Sequence, residues 1–310
     1  MNKFKNRLLV FFLVSLIACT EKNKDEGTID TKKTERLNEL NTKRSEEYKM
    51  SQLNEAILNM DLSASDIASS MGVRALPELK ALLNNEDNAV RTVTVLAIGS
   101  LSFPEAYKLL FKALQDKDTT VANTAAQQID MHKDNISTEV ILGSLEGMNE
   151  PNALKQMILL LGTRLELSQA ELITSYCSPE QDKAVSIGCT AASAKVGVQL
   201  YQEQFAKHLL SVEGIELKTA FTLVNYINQP WLLPHLRLLL NNKNEIQSLG
   251  DLPLGYPKVL RVCDKAVDSI VRISGVNFSF STDVHANFSE NQLIEVDSFI
   301  NNYIYKISRF

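Results

Sequence analysis

The chain has 310 residues, of which 45% are hydrophobic, and its 32 basic and 37 acidic residues give a net charge of −5. This apolar content over this length supports a substantial buried core and excludes a wholly disordered chain. Because the chain is mildly acidic and has no basic stripe, we expect no nucleic-acid partner.

The first eighteen residues have the layout of a secretory signal. Lys3, Lys5 and Arg7 precede an apolar run from Leu8 to Ala18 that contains a single serine. A membrane-spanning helix needs about 20 apolar residues, so this run is too short to span a bilayer. We therefore interpret residues 1–18 as a signal peptide.

The end of this run resembles the lipobox of bacterial lipoproteins. Leu16-Ile17-Ala18-Cys19 agrees with that signal at each of its four positions. The resemblance implies cleavage before Cys19, acylation of Cys19 and anchoring to the bacterial cell envelope, on the outer membrane. Lys24-Asp25-Glu26 resembles the short acidic export signal of surface lipoproteins, and it leaves both the periplasmic face and the cell surface open.

Residues 19–50 are predicted to be a charged, flexible tether. Residues 20–50 carry eight Lys or Arg, eight Asp or Glu and few large apolar residues. Such a segment cannot bury enough apolar surface to form a core of its own. Leu37 and Leu40 share a helical face, so part of it is expected to be helical.

Helical apolar spacing recurs through residues 51–280. Asn88 is expected to cap a helix that ends near Gly99, and Pro104 opens a second helix. The first helix returns at offsets of 31, 32, 32 and 32 residues, and a fainter half-unit precedes it. The equivalent apolar positions are Val90, Val121, Ala153, Val185 and Leu217.

This pattern resembles the short HEAT repeats of PBS-lyase-type HEAT-like proteins. The residues that carry the resemblance are Asp87, Val90, Arg91, Thr94, Ala97 and Gly99, and again Val262, Asp264, Ala266, Ile270 and Gly275. The resemblance implies an all-α fold, an α-solenoid in which HEAT-like helix pairs form a right-handed superhelix. Arg91 stands where HEAT repeats often stack an arginine against an aspartate of the next repeat.

The later repeats lack that arginine. Its equivalents are Ala122, Leu154, Ser186, Lys218 and Cys263. No charged ladder can therefore run through the solenoid, and we expect apolar faces between neighbouring units to hold it together.

Residues 281–310 are predicted to form a C-terminal capping helix. Ser289 is expected to cap it, and the apolar positions at helical spacing are Leu293, Val296, Ile300, Tyr303 and Ile307. Phe278, Phe280 and Phe288 are expected to fold back over the last repeat.

With Cys19 acylated, the remaining cysteines are Cys177, Cys189 and Cys263, an odd number for an oxidising compartment. Cys177 and Cys189 could pair. Since Cys189 lies in a run of small residues, we interpret it as a small core thiol, and the pairing stays open.

No group of residues points to catalysis. The four histidines have no zinc-binding spacing, and the chain has neither a phosphate-binding glycine loop nor a GxSxG serine. The acidic residues precede helices, where a negative charge interacts favourably with the positive end of the helix dipole. We expect no catalytic residue, no metal, no cofactor and no enzymatic activity.

Two departures from the repeat are candidate partner-binding elements. The first is residues 241–257, which contain Leu252, Leu254 and Tyr256; the second is Trp231 with His235. The alternatives are a loop that only covers the end of the solenoid and a tryptophan that only packs.

The sequence predicts an envelope-anchored scaffold or adaptor that binds a protein or an envelope polymer, with the membrane reached through the lipid. One alternative is an enzyme or an enzyme accessory subunit that uses the 241–257 loop. A second alternative is a purely structural spacer in the envelope.

Overall fold

The computed structural model describes residues 27–178, 180–248, 259–282 and 286–307. Of these, residues 27–30 and 304–307 are described by their backbone alone. The chain divides into two compact units, Met1–Gln52 and Leu53–Phe310. The predicted signal peptide and Cys19 lie outside the described residues. Within the described part of the chain, no helix is both long and apolar enough to cross a membrane.

Helix α1, Gly27–Leu58, occupies most of the segment predicted to be a flexible tether. Its residues 31–45 are exposed. Glu39, Lys43 and Glu47 follow one another at four-residue spacing, and such pairs stabilise a solvated helix by a few tenths of a kcal/mol each. The segment is therefore more regular than predicted, with helix well beyond Leu37 and Leu40.

The second unit is built from consecutive helix pairs. The pairs are α2 (Ala64–Met71) with α3 (Leu76–Leu82), α4 (Asn88–Gly99) with α5 (Pro104–Ala113), α6 (Thr119–His132) with α7 (Thr138–Leu145), α8 (Pro151–Gly162) with α9 (Glu171–Thr174), α10 (Lys183–Val196) with α11 (Gln199–Ser211), α12 (Gly214–Ile227) with α13 (Leu233–Leu238), and α14 (Val262–Ser274) with α15 (Glu290–Ile307). Short 3-10 helices cover Gly72–Ala75, Lys133–Asn135, Leu167–Gln169, Pro230–Leu232 and Leu239–Asn241. We call the even-numbered helices the first-helix layer and the odd-numbered helices from α3 onward the second-helix layer.

The first helices start where the sequence period places them. All six equivalent apolar positions are at most 4% exposed. They are Val90, Val121, Ala153, Val185, Leu217 and Val262. The predicted all-α solenoid of helix pairs is confirmed, and its core is the apolar surface that successive pairs bury between them.

Acidic residues cap four first helices in succession. Asp87, Asp118, Glu150 and Asp182 each accept a hydrogen bond from a backbone N–H in the first turn of the helix that follows, at 2.6–2.9 Å. The prediction that Asn88 caps α4 is wrong by one residue. Asp87 has the extended backbone of an N-cap and a charged acceptor, while the Asn88 amide donates to Asp118 at 2.6 Å.

Arg91 forms the inter-repeat ion pair that the HEAT resemblance implies. Its Nε and Nη2 donate to the two carboxylate oxygens of Asp116, at 2.7 and 2.8 Å, in the turn before α6. The side chains are 4% and 12% exposed. Burial disfavours ionised Asp116, but hydrogen bonds from Arg91 and the Asp118 backbone outweigh it, so the pKa of Asp116 lies below its usual value.

A short hairpin interrupts the helices where the sequence lengthens the repeat. Strand β1, Glu245–Ser248, pairs antiparallel with β2, Val259–Arg261. The sequence shows no strand alternation here, and the strands are too short to give one. The hairpin is an addition to the predicted all-α fold.

The preferred role of Cys189 as a free core thiol is wrong. Cys189, on α10, forms a disulfide with Cys177, and their Cα atoms are 5.3 Å apart. Helix α10 packs against α9, and this brings the turn that holds Cys177 onto the small-residue face of α10. Cys263 is free and buried, and burial raises the pKa of its thiol to about 11.

Helix α15 caps the solenoid as predicted. Leu293, Val296 and Ile300 are at most 4% exposed within the core of the last pairs. The three predicted phenylalanines pack against the same core, where Phe278 and Phe280 stack at 5.3 Å. The Ser289 hydroxyl donates to Gln292 at 2.9 Å. The side chain of Ile307 lies outside the described residues.

Ion pairs and a buried carboxylate hold the cap and the segment before it. Arg237 on α13 donates from Nε and Nη2 to the carboxylate of Asp297 on α15. Buried Asp264, which is 3% exposed, accepts from Nε and Nη2 of Arg261 and from the backbone N–H of Phe288. The segment that leads into α15 is therefore fixed to α14.

We expect Asp116→Asn to lower the free energy of unfolding by about 3 kcal/mol at pH 7, because it leaves buried Arg91 without a counter-charge. Since folded Asp116 has a lowered pKa, the ion pair stabilises the fold above the unfolded pKa of about 3.9. That contribution disappears as the pH falls through the folded pKa, where variant and parent should converge. Urea unfolding at a series of pH values measures this.

The control is Asp130→Asn, which removes the exposed pair between Asp130 and Lys133, whose side chains are 74% and 47% exposed. Screening by water makes such pairs weak, so this variant should unfold close to the parent. Equal losses from the two variants at pH 7 would contradict a special role for the buried pair.

Candidate functional site

Trp231 lies in the 3-10 helix Pro230–Leu232 and is partly buried. Its Nε1 donates to Oε1 of Gln229 at 2.8 Å, and its ring meets the edge of Phe205 on α11, with centroids 6.4 Å apart. The indole is thus held on one side by the second-helix layer.

His235 follows on α13, with its ring centroid 6.2 Å from that of Trp231. Burial lowers the pKa of His235, so the imidazole is neutral at pH 7. Both rings line a shallow groove of about 370 Å³ against α11. The structure therefore brings two of the predicted binding residues together.

The other predicted residues, Leu252, Leu254 and Tyr256, lie outside the described residues. The described base of their loop is the hairpin of β1 and β2. Ile246 and Gln247 lie against α12 and α14, in the first-helix layer. Trp231 contacts the second-helix layer instead, so this base and the Trp231 groove lie on different layers.

A larger cleft lies between α6 and α8. It measures about 470 Å³, and residues of α6, α8 and α12 line it. Helices α4 and α6 pack closely, as do α8 and α10, whereas α6 and α8 do not make a comparable helix-to-helix contact. The cleft is the resulting break in the first-helix layer.

Glycines lie at two of the close approaches between first helices. A Cβ on Gly99 of α4 would collide with Gln128 of α6. A Cβ on Gly162 of α8 would lie 2.8 Å from the Cβ of Ala192 on α10, and one on Gly188 of α10 would lie 2.6 Å from Lys155 Cγ on α8. Helix α6 contains no glycine, and no such contact draws it toward α8.

The cleft has an apolar floor and a charged rim. The floor residues are Leu114, Ala126, Ile129, Met157, Leu159 and Leu160. Asp130, Lys133 and Asp134 form the rim at the end of α6, and Gln156 and Thr163 form it on α8. Lys133 donates to Asp130 at 2.9 Å. The rim is therefore acidic on balance on the α6 side.

Tyr226 of α12 closes one end of the cleft. Its hydroxyl donates to the carbonyl of Leu159 at 2.7 Å, and burial raises its pKa far above the usual range. Lys195 Nζ lies 5.0 Å from the centre of the Tyr226 ring and donates to the Tyr226 carbonyl at 2.8 Å. This wall is held in place from two sides.

Arg164, just beyond the end of α8, also lines the cleft. Its Nε and Nη2 are inaccessible to solvent, and neither has a hydrogen-bond partner among the described residues. Unpaired buried donors on a charged group cost roughly 1–3 kcal/mol or more, so such an arrangement calls for a physical reason.

The sequence analysis did not identify Arg164. An arginine directly after a helix is typical of a cation at the negative end of the helix dipole. The local sequence around Arg164 does not show whether its guanidinium finds hydrogen-bond partners.

The cleft offers apolar contact along its floor and polar contact along its rim. Among the described residues, no three His, Cys, Asp or Glu side chains are grouped so as to hold a metal ion.

We expect Arg164→Met to leave the free energy of unfolding unchanged or to raise it by about 1–2 kcal/mol, because it removes buried donors that lack partners and keeps the apolar stem. Arg91→Met is the matched control and should lower the free energy of unfolding by about 3 kcal/mol, since it leaves Asp116 without its ion-pair partner. Urea unfolding of both variants measures these two changes in the free energy of unfolding. A comparable loss from Arg164→Met would show that Arg164 serves the fold.

Residues 76–162, which include α4, α6 and α8, match the family model of HEAT repeats. A comparison with curated proteins gives no match. Among solved structures, the chain is similar to the complex of CpcE and CpcF of phycocyanin lyase from Nostoc sp. PCC7120, with 17% sequence identity and a TM-score of 0.42. That similarity covers 80% of this chain and 94% of the other. The chain thus carries HEAT repeats within an α-solenoid.

Proposed function

We propose that the chain is a lipid-anchored scaffold of the bacterial cell envelope that binds another protein in the cleft between α6 and α8. The observation that carries the proposal is the cleft itself, which has an apolar floor and a charged rim. Stacked helix pairs present extended surfaces that suit protein recognition.

Two features support the envelope as its location. Leu16-Ile17-Ala18-Cys19 resembles the lipobox, and acyl chains on Cys19 would anchor the chain, with about 0.8 kcal/mol for each buried methylene. The disulfide between Cys177 and Cys189 suits an oxidising compartment outside the cytoplasm.

The Trp231 groove is a secondary part of this proposal. Leu210, at its edge, is 40% exposed, and the Trp231 indole lies in its wall. It is smaller than the cleft and has an ordinary packing explanation through Phe205 and Gln229. The α6–α8 cleft therefore ranks above it as the partner-binding surface.

A photo-crosslinking residue at position 156 tests the proposal in the cells that make the protein. Gln156 is exposed at the rim of the cleft, so a discrete crosslinked protein should appear with the full chain in the envelope fraction. In a chain that also carries Cys19→Ser, the protein should leave that fraction, because the acyl anchor is lost.

The matched control places the same residue at position 127, which is exposed on α6 but does not line the cleft. It should give no such product. Identical products from both positions, or none from position 156, would contradict the binding role. Retention of processed Cys19→Ser protein in the envelope would contradict the lipid anchor.

A further inference from the structure

We propose that a small cavity between α12, α14 and strand β1 binds a phosphate group, which a free phosphate or a lipid headgroup supplies. This site is separate from the α6–α8 cleft and does not depend on the protein-binding function proposed above.

The hairpin that lengthens the last repeat builds one wall of the cavity. Ile246 of β1 packs against the core of the last pairs, and Gln247 beside it lines the cavity. Phe221 of α12 and Ser269 of α14 belong to the other walls. The cavity measures about 90 Å³, well below the roughly 300–1,000 Å³ of pockets that hold whole small-molecule ligands. It therefore has room for one small group.

The charge around the cavity is positive. Lys218 of α12 and Lys265 of α14 both line it, and no described aspartate or glutamate does. Asp268, three residues after Lys265, is not part of the wall. Neither lysine forms an ion pair within the part of the chain that the structure describes. Because Lys218 is exposed and Lys265 only partly buried, both ammonium groups can turn toward an anion in the cavity.

Lys218 occupies the position in its repeat that Arg91 has in α4. Arg91 is 4% exposed and donates to both carboxylate oxygens of Asp116 in the next repeat. Lys218 is exposed instead, and no described carboxylate pairs with it. The cation that connects two repeats at the first position is therefore available for a ligand at the second.

Two side-chain amides add hydrogen-bond donors. Oδ1 of Asn225 accepts from the hydroxyl of Ser269 at 3.4 Å, and Ser269 is 1% exposed. This contact leaves Nδ2 of Asn225 without a partner among the described residues. The side-chain amide of Gln247 also forms no hydrogen bond with any of them. Donors thus come from α12, α14 and β1.

These donors fit a phosphate better than a carboxylate. A carboxylate has one charge and two oxygens, which the planar fork of a single arginine satisfies, as Arg237 does for Asp297. Lysine ammonium groups act as point charges and can approach a tetrahedral anion from different sides. A phosphate monoester carries a charge of about −1.5 to −2 at pH 7, which two lysines balance.

Calorimetric titration of the full chain in a neutral detergent at low ionic strength tests the inference, with inorganic phosphate as the probe and acetate as the comparison. We expect one phosphate to bind per chain and acetate to bind at least about tenfold more weakly, because acetate carries a single charge. Lys218→Met and Lys265→Met should each weaken phosphate binding at least about tenfold, since each removes a charge-assisted hydrogen bond.

Lys108→Met is the matched control. Lys108 is exposed on α5 and does not line the cavity, so this variant loses the same charge and should bind phosphate like the parent. Circular dichroism confirms that each variant is folded.

Mixed micelles identify the source of the phosphate. Phosphatidic acid, a phosphate monoester, should compete with inorganic phosphate more strongly than phosphatidylglycerol at equal surface charge if a lipid headgroup enters the cavity. Equal effects of the two lipids would assign the site to free phosphate.

The inference would be overturned by the absence of saturable phosphate binding, by equal binding of acetate and phosphate, or by undiminished binding in both cavity variants. An equal loss in Lys108→Met would also overturn it, because binding would then follow net charge alone. The crosslinking from position 156 reports on the α6–α8 cleft, so a failure there leaves the phosphate site standing.

Discussion

Each helix pair of this protein has an apolar face that it cannot bury by itself, and the rest of the structure depends on burying that face against the next pair. Val121, Val185 and Leu217 lie on this face at equivalent points of successive pairs and are almost inaccessible to solvent. The contribution is large, since full burial of one such side chain is worth about 1.5–3 kcal/mol. The ion pair of Arg91 with Asp116 connects two neighbouring pairs, and α15 covers the apolar face that α13 and α14 would otherwise expose.

The α6–α8 junction stands apart from the others. Glycines lie at the contacts of α4 with α6 and of α8 with α10, whereas α6 and α8 make no comparable contact. Apolar surface that lines the cleft is left at that junction.

Much of the fold could be predicted from the sequence, because the determining signals are local and periodic. The 31- and 32-residue offsets locate the first helices, and the position of Arg91 indicates an acidic partner in the next repeat. The N-cap of α4 was missed by one residue because Asp87 and Asn88 are both good capping residues. The pairing of Cys177 with Cys189 depends on how α9 packs against α10, which their spacing does not reveal.

The candidate site was predicted only in part. Trp231 and His235 do share a groove, but the cleft and Arg164 were not foreseen, because they arise from the distance between two helices. No residue type or spacing near Arg164 distinguishes a guanidinium without hydrogen-bond partners from one that interacts with the helix dipole. A gap between repeats therefore has to be found in three dimensions.

An aspartate scan at the repeat period tests the central claim most directly. The six positions are Val90, Val121, Ala153, Val185, Leu217 and Val262. Urea unfolding of the full chain should show a loss of several kcal/mol for each variant, because each places an unpaired carboxylate in the core. Aspartate at exposed Asn123 or Thr219 should leave the unfolding midpoint nearly unchanged. Midpoints that do not distinguish the six buried positions from these two controls would contradict the account that the period defines the core.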